Sequence, residues 1–126
     1  MLTFSSEQQQ FRDSLRRMLA ADYSFERRRE IAASPRGWSD AVWRQLADLG
    51  VLALTLPEAH GGLGGGAMDA YVVMEEAGRA LLLEPWLPTV LMGAGVIARA
   101  GSAAQCAAIL PAVGAGERQL ALAHYE

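Results

Sequence analysis

Several residues of this chain are of types, and at spacings, that can do chemistry. The run His60-Gly61-Gly62-Leu63-Gly64-Gly65-Gly66 is the most conspicuous. Glycines let backbone amides approach a phosphate at the start of a following helix. No strict G-x-G-x-x-G unit lies between a clear strand and a helix, however, and Gly-Lys-Ser/Thr is missing. The run therefore reads better as a tight connector between buried elements. Glu75 and Glu76 are a candidate carboxylate pair. Helix neighbours point about 100° apart, so the two do not converge on one reacting atom, and a solvated or salt-bridged pair is expected. His60 and His124 have no partner at ligand or relay spacing and read as loop or packing residues. Cys106 sits among small apolar residues and reads as a buried, inert thiol. Arg27-Arg28-Arg29, flanked by Glu26 and Glu30, reads as salt-bridged helix surface rather than an anion site. All 11 basic residues are arginine, so no Schiff base or phosphate-loop lysine can form. A single cysteine excludes an internal disulfide and a cysteine-built zinc site, and no metal site is expected.

The elements that must position these residues are helical. Ser5-Ser6-Glu7-Gln8 fits a capping box, and Phe11, Leu15, Met18 and Leu19 then recur at helical spacing. Asp22 to Ser24 interrupts, and Phe25 to Ala33 reads as a second, charged helix. After the break Ser34-Pro35-Arg36-Gly37, Ser39 is a good N-cap. Trp43, Leu46 and Leu49 form the next stripe, closed by Gly50. Val51 to Leu56 is an apolar run, either a strand or a buried connector, and Pro57 ends it. A helix from Met68 to Leu82 is expected to bury Ala70, Val73, Met74, Ala77 and Leu81, with Glu75, Glu76 and Arg79 off that stripe. Pro85 and Pro88 punctuate the following turn. Thr89 to Ala100 is small and apolar, suited either to close helix packing or to a ligand groove at Gly93 and Gly95. Ser102 caps a helix from Ala103 to Leu110, and Pro111 opens a half-turn to Val113. Leu120 to Tyr125 reads as the start of a strand with no partner in this sequence. The expected fold is all-α, an orthogonal or up-down bundle of five to six helices over residues 1–119. Residues 120–126 would be a strand-like end entering a further β domain.

Composition agrees with a single globular domain: of 126 residues, 52% are hydrophobic and 20% charged. A net charge of −3 argues against nucleic acid as a partner. The longest apolar stretch, Trp86 to Ala98, is broken by Pro88 and is too short for a membrane span. Met1 to Gln10 is polar and lacks a leading positive charge, so no signal peptide is expected and the default compartment is cytoplasmic.

The order of motifs carries a resemblance. It begins with Leu46-Ala47-Asp48-Leu49-Gly50-Val51-Leu52-Ala53-Leu54-Thr55-Leu56-Pro57-Glu58. Gly61-Gly62-Leu63-Gly64 and Glu75-Glu76-Ala77-Gly78-Arg79 follow. Ala100-Gly101-Ser102, Leu110-Pro111, Gly114-Ala115-Gly116-Glu117 and Leu120-Ala121-Leu122-Ala123 complete it. Together they resemble the N-terminal helical domain of acyl-CoA dehydrogenases, over nearly the whole chain. The resemblance implies a longer protein, with a middle β domain and a C-terminal four-helix bundle beyond this chain. It implies desaturation of an acyl-CoA thioester of the fatty-acid type. A glutamate base of the C-terminal domain removes the α-proton while the β-hydride passes to FAD, so no residue of this chain is expected to be catalytic. It implies an electron-transfer flavoprotein or similar acceptor, and a homo- or hetero-oligomer.

By the same resemblance, Pro85, Trp86, Thr89, Met92 and Gly93 border the acyl pocket. Trp86 or Met92 would shorten that pocket, and Trp86→Ala would lengthen the accepted chain. Leu122, His124, Tyr125 and Glu126 take the positions that face the flavin, with Tyr125 where the family usually has threonine. This chain alone is expected to be inactive and not to hold FAD by itself. Two rival readings are a non-catalytic helical module that packs on a dehydrogenase partner, and an unrelated bundle binding a small ligand at Gly93 and Gly95.

Overall fold

The computed structural model describes residues 2–125, so Glu126 lies outside the described residues. Six α-helices follow one another: α1 (Ser6–Asp22), α2 (Phe25–Ala33), α3 (Asp40–Asp48), α4 (Ala67–Ala80), α5 (Gly95–Ala100) and α6 (Ala103–Gly114). A short 3-10 turn, Glu58–His60, precedes α4, and a π-helical stretch, Leu87–Ala94, runs directly into α5. No strand occurs among the described residues, and the all-α expectation holds.

Local chemistry sets the helix starts. Ser5, Ser24, Ser39 and Ser102 each accept a backbone N–H of the first turn, and Gln8 and Gln105 complete capping boxes at α1 and α6. Pro111 does not start a new half-turn as the sequence suggested; α6 runs through it to Gly114. Helix α4 ends at Ala80, two residues short of the expected Leu82. There Leu81 turns left-handed at φ 54°, and its carbonyl accepts the Arg28 Nε–H at 2.9 Å.

The apolar run Val51 to Leu56 is a chain of turns, not a strand, and it sits in the core with Val51, Leu52, Leu54 and Leu56 buried. The glycine run wraps it. Leu63 N–H donates to Ala53 O at 2.9 Å, Gly64 N–H to Leu56 O at 2.9 Å, and Gly65 N–H to Leu54 O at 2.7 Å. A side chain on Gly62 would collide with the Leu56 carbonyl, so only glycine permits this approach. Gly61 and Gly62 N–H bond to Glu58 O and Pro57 O, and Gly66 N–H bonds to Asp69. The loop's amides are thus spent on its own protein, which removes the phosphate-cradle reading.

Helices α1 and α4 run parallel, linked by side chains at a nearly constant sequence offset. Gln8 Nε2 donates to Asp69 Oδ1 at 3.2 Å, Arg16 grips Glu76 with two bonds at 2.6 and 3.0 Å, and Tyr23 Oη donates to Glu84 at 2.8 Å. Glu76 is 2% exposed. The buried stripe of α4 is therefore Val72, Val73 and Glu76, while Met74 and Leu81, expected inside, are exposed. A carboxylate can be buried only when paired, and its partner lies 60 residues upstream.

Candidate functional site

The residues singled out by the resemblance gather where α4 hands over to the π-helical stretch and where the C-terminal segment returns across it. Pro88 falls in the first turn of that stretch, where its missing N–H would have no partner within the helix. Below this turn lies a buried polar node. Glu84 accepts from Tyr23 Oη at 2.8 Å and from Ser39 N–H at 3.0 Å, while Tyr23 Oη accepts Leu83 N–H at 3.0 Å. Burial, with the hydrogen bond and charge of Glu84, raises the Tyr23 phenol to about 12, against the lowering effect of the Leu83 N–H. The hydrogen bond and charge of Glu76 hold the Arg16 proton more tightly than usual.

Trp86 is fully buried, and its indole N–H donates to Val51 O at 2.9 Å. It joins the core cluster of Leu15, Leu46, Leu52 and Val90. Pro85 and Met92 are half-buried. Thr89 is 0% exposed, and its hydroxyl both donates to Leu120 O at 3.2 Å and accepts Leu120 N–H at 3.4 Å. A Cβ on Gly93 would lie 2.6 Å from Leu120 Cβ, so the absence of a side chain there seats Leu120. Beyond it, Ala121 to Tyr125 are exposed, with no regular structure and no backbone hydrogen bond among the described residues. The His124 and Tyr125 rings meet edge-on at 5.1 Å.

The structure thus brings Thr89 and Gly93 to the root of the segment that carries Leu122, His124 and Tyr125. Gly93 and Gly95 do not share one groove. Gly93 is covered by Leu120, whereas Gly95 opens onto a cleft of about 400 Å³ with Val90, Leu91, Ala94 and Ala98 on one wall and Leu56, Pro57 and Gly66 on the other. None of the five expected pocket residues lines that cleft. Glu75 and Glu76 diverge, Glu76 being held by Arg16. Cys106 is buried, with its thiol on Ile97 O at 3.2 Å, and Arg27 pairs with Glu30 at the surface. Among the described residues no group of His, Cys, Asp and Glu could hold a metal. No helix there is long and apolar enough to cross a membrane.

Residues 5–117 match the family described as acyl-CoA dehydrogenase, N-terminal domain. The chain belongs to the acyl-CoA dehydrogenase family. It is 36% identical over 105 residues to acyl-CoA dehydrogenase IpdE2 of Mycobacterium tuberculosis, a match that takes in 82% of this chain and 33% of the relative. The fold superposes on the Tcur3481-Tcur3483 steroid ACAD variant with a TM-score of 0.85 at 34% identity, over 91% of this chain and 31% of that one. It superposes on the ChsE4-ChsE5 complex of Mycobacterium tuberculosis with a TM-score of 0.87 at 28% identity, over 94% of this chain and 33% of that one. The chain spans about a third of the length of these acyl-CoA dehydrogenases. Sequence reasoning missed the seat of Leu120 and the Tyr23–Glu84 node. Both join residues too far apart for periodicity to link, although two prolines around a tryptophan mark the turn.

Proposed function

We propose that this chain is the N-terminal helical part of an FAD-dependent acyl-CoA dehydrogenase that desaturates an acyl-CoA thioester between Cα and Cβ. Residues 1–119 form its helical domain, and 120–126 lead toward a middle β domain. The observation that carries the reading is the family match over residues 5–117, joined to a fold shared along nearly the whole chain.

In this reading the chain builds a wall. Pro85 and Met92 present the half-buried face of the π-helical stretch, with Thr89 and Gly93 beneath Leu120. Trp86 supports that wall from the core. Leu122, His124 and Tyr125 would lie along FAD, and their unpaired backbone amides fit a flavin edge rich in acceptors. Bound FAD supplies the hydride acceptor. The half-buried apolar side chains exclude water from the acyl group, while the tail amides orient the ring system. The proton is removed by a base outside this chain, consistent with the structural use of Glu76 and Glu84. The steroid named for the 34% identical relative favours a bulky polycyclic acyl group. That relative and the ChsE4-ChsE5 complex, each named as a pair, favour a hetero-oligomer. An electron-transfer flavoprotein or similar acceptor, and a cytoplasmic site, complete the reading.

The test is the intact mass and visible absorption of the protein isolated from its own cells. A yellow protein well above 13.5 kDa, whose flavin absorption bleaches with a steroid or fatty acyl-CoA, is expected. A colourless species near 13.5 kDa would overturn the reading.

A further inference from the structure

We infer that Thr89 is a positioning residue: its hydroxyl, with the bare backbone of Gly93, forms a socket for Leu120 that sets the course of residues 121–125 against the cofactor. The inference rests on the flavin reading above for its purpose, and on the geometry for the socket itself. A helical threonine ordinarily turns its hydroxyl to water or to a carbonyl of the preceding turn. Thr89 does neither. It is completely buried, and its hydroxyl engages both backbone polar groups of one residue 31 positions downstream. That pairing reproduces with a side chain what a ladder partner gives a strand, and it does so once. Leu120 N–H and C=O are held, and the following residues are not. Gly93, one helical turn along, supplies the space, since any side chain there would strike Leu120 Cβ at 2.6 Å.

A single anchored residue followed by free backbone fixes direction without fixing conformation. When residues 121–125 extend against a partner, Leu122 and His124 share one face and Tyr125 takes the other, and the hold on Leu120 sets which face meets the cofactor. Loss of the anchor would let the register slip by one residue and turn the tail over. Threonine and serine can both fill the socket, because only the hydroxyl is used. Valine has the same shape and cannot.

The test compares wild type, Thr89→Ser and Thr89→Val in the native protein, by hydrogen exchange of the peptide spanning residues 117–125 and by bound flavin content and spectrum. Exchange at Leu120 should quicken at least about tenfold in Thr89→Val, as expected for the loss of roughly 1.4 kcal/mol of local protection. Peptides from α1 and α4 should stay unchanged, and Thr89→Ser should behave as wild type. Flavin content should fall, or its spectrum shift, in Thr89→Val only. Unchanged exchange at Leu120 overturns the socket. Faster exchange with an unchanged flavin overturns its positioning role. A wild-type protein without flavin sinks the flavin reading and this role with it, while the exchange data still decide the socket. Gly93→Ala gives an independent check, since it should loosen the same peptide without touching the hydroxyl.

Discussion

The α1–α4 seam and the C-terminal segment are held in opposite ways. The seam is fastened at three levels, by Gln8 with Asp69, Arg16 with Glu76, and Tyr23 with Glu84. The segment after Leu120 is fastened nowhere among the described residues, and its last tie is one hydroxyl. Buried polar groups that are fully paired make an arrangement unique. Unpaired backbone in an extended tail invites another element. The seam is therefore scaffold, and in the proposed reading the tail is the edge that the scaffold presents to the cofactor.

The sharpest way to break this contrast is at the joint between the two regions. Trp86→Ala should destabilise the chain by about 4 kcal/mol, because a buried indole is lost and Val51 O loses its donor. Thermal unfolding should show a Tm lower by roughly 15 °C. Any change in acyl preference would be secondary to that loss. A Tm within a few degrees of wild type would mean that Trp86 belongs to the pocket and not to the core.

The seam itself comes next. Arg16→Met leaves the buried Glu76 carboxylate without its partner, and Tm should fall by several degrees. Adding Glu76→Leu should restore much of the loss, since an apolar pair of similar volume avoids burying a charge. No recovery in the double variant would show that the pair does more than close the seam.

Tyr23→Phe is expected to cost about 2 kcal/mol, because Glu84 and Leu83 N–H both lose a partner. It also carries a pH signature. The Tyr23 phenol is raised from 10.0 to about 12 in the folded chain, so the unfolded chain loses its proton first. Stability should be level below pH 10 and decline between pH 10 and 12, and Tyr23→Phe should remove that decline. With no lysine in the chain, no side-chain amine titrates in that window, and the comparison with Tyr23→Phe isolates Tyr23 from the other two tyrosines. A decline of equal size in Tyr23→Phe would place its cause elsewhere.

The seam and the tail were not equally legible in the sequence. Helix starts were readable because Ser5, Ser39 and Ser102 act within three residues of themselves. The fold class followed from these signals and from the spacing of Leu15, Leu19, Trp43 and Leu46. Glu76 was misplaced because its burial depends on Arg16, a pairing that no local period encodes. Leu81 was placed inside because it is apolar, yet it caps α4 with a left-handed turn and faces solvent. For the site, the resemblance selected Thr89 and Gly93, but their shared contact with Leu120 emerges only when the tail folds back.

The smallest effect should fall on the tail, and it is the most telling. Leu122→Ala combined with Tyr125→Ala removes two apolar side chains, a change that in the core would cost several kcal/mol. Here Leu122 is 39% and Tyr125 94% exposed. The stability of the 126-residue chain should therefore move by less than about 0.5 kcal/mol. In the protein isolated with its flavin, the same pair should lower flavin retention, because the residues then pack against the cofactor and not against water. A tail that is indifferent in the chain and sensitive in the flavoprotein is what a working edge requires. A marked loss of stability in the chain would instead mean that residues 121–125 already belong to the helical core.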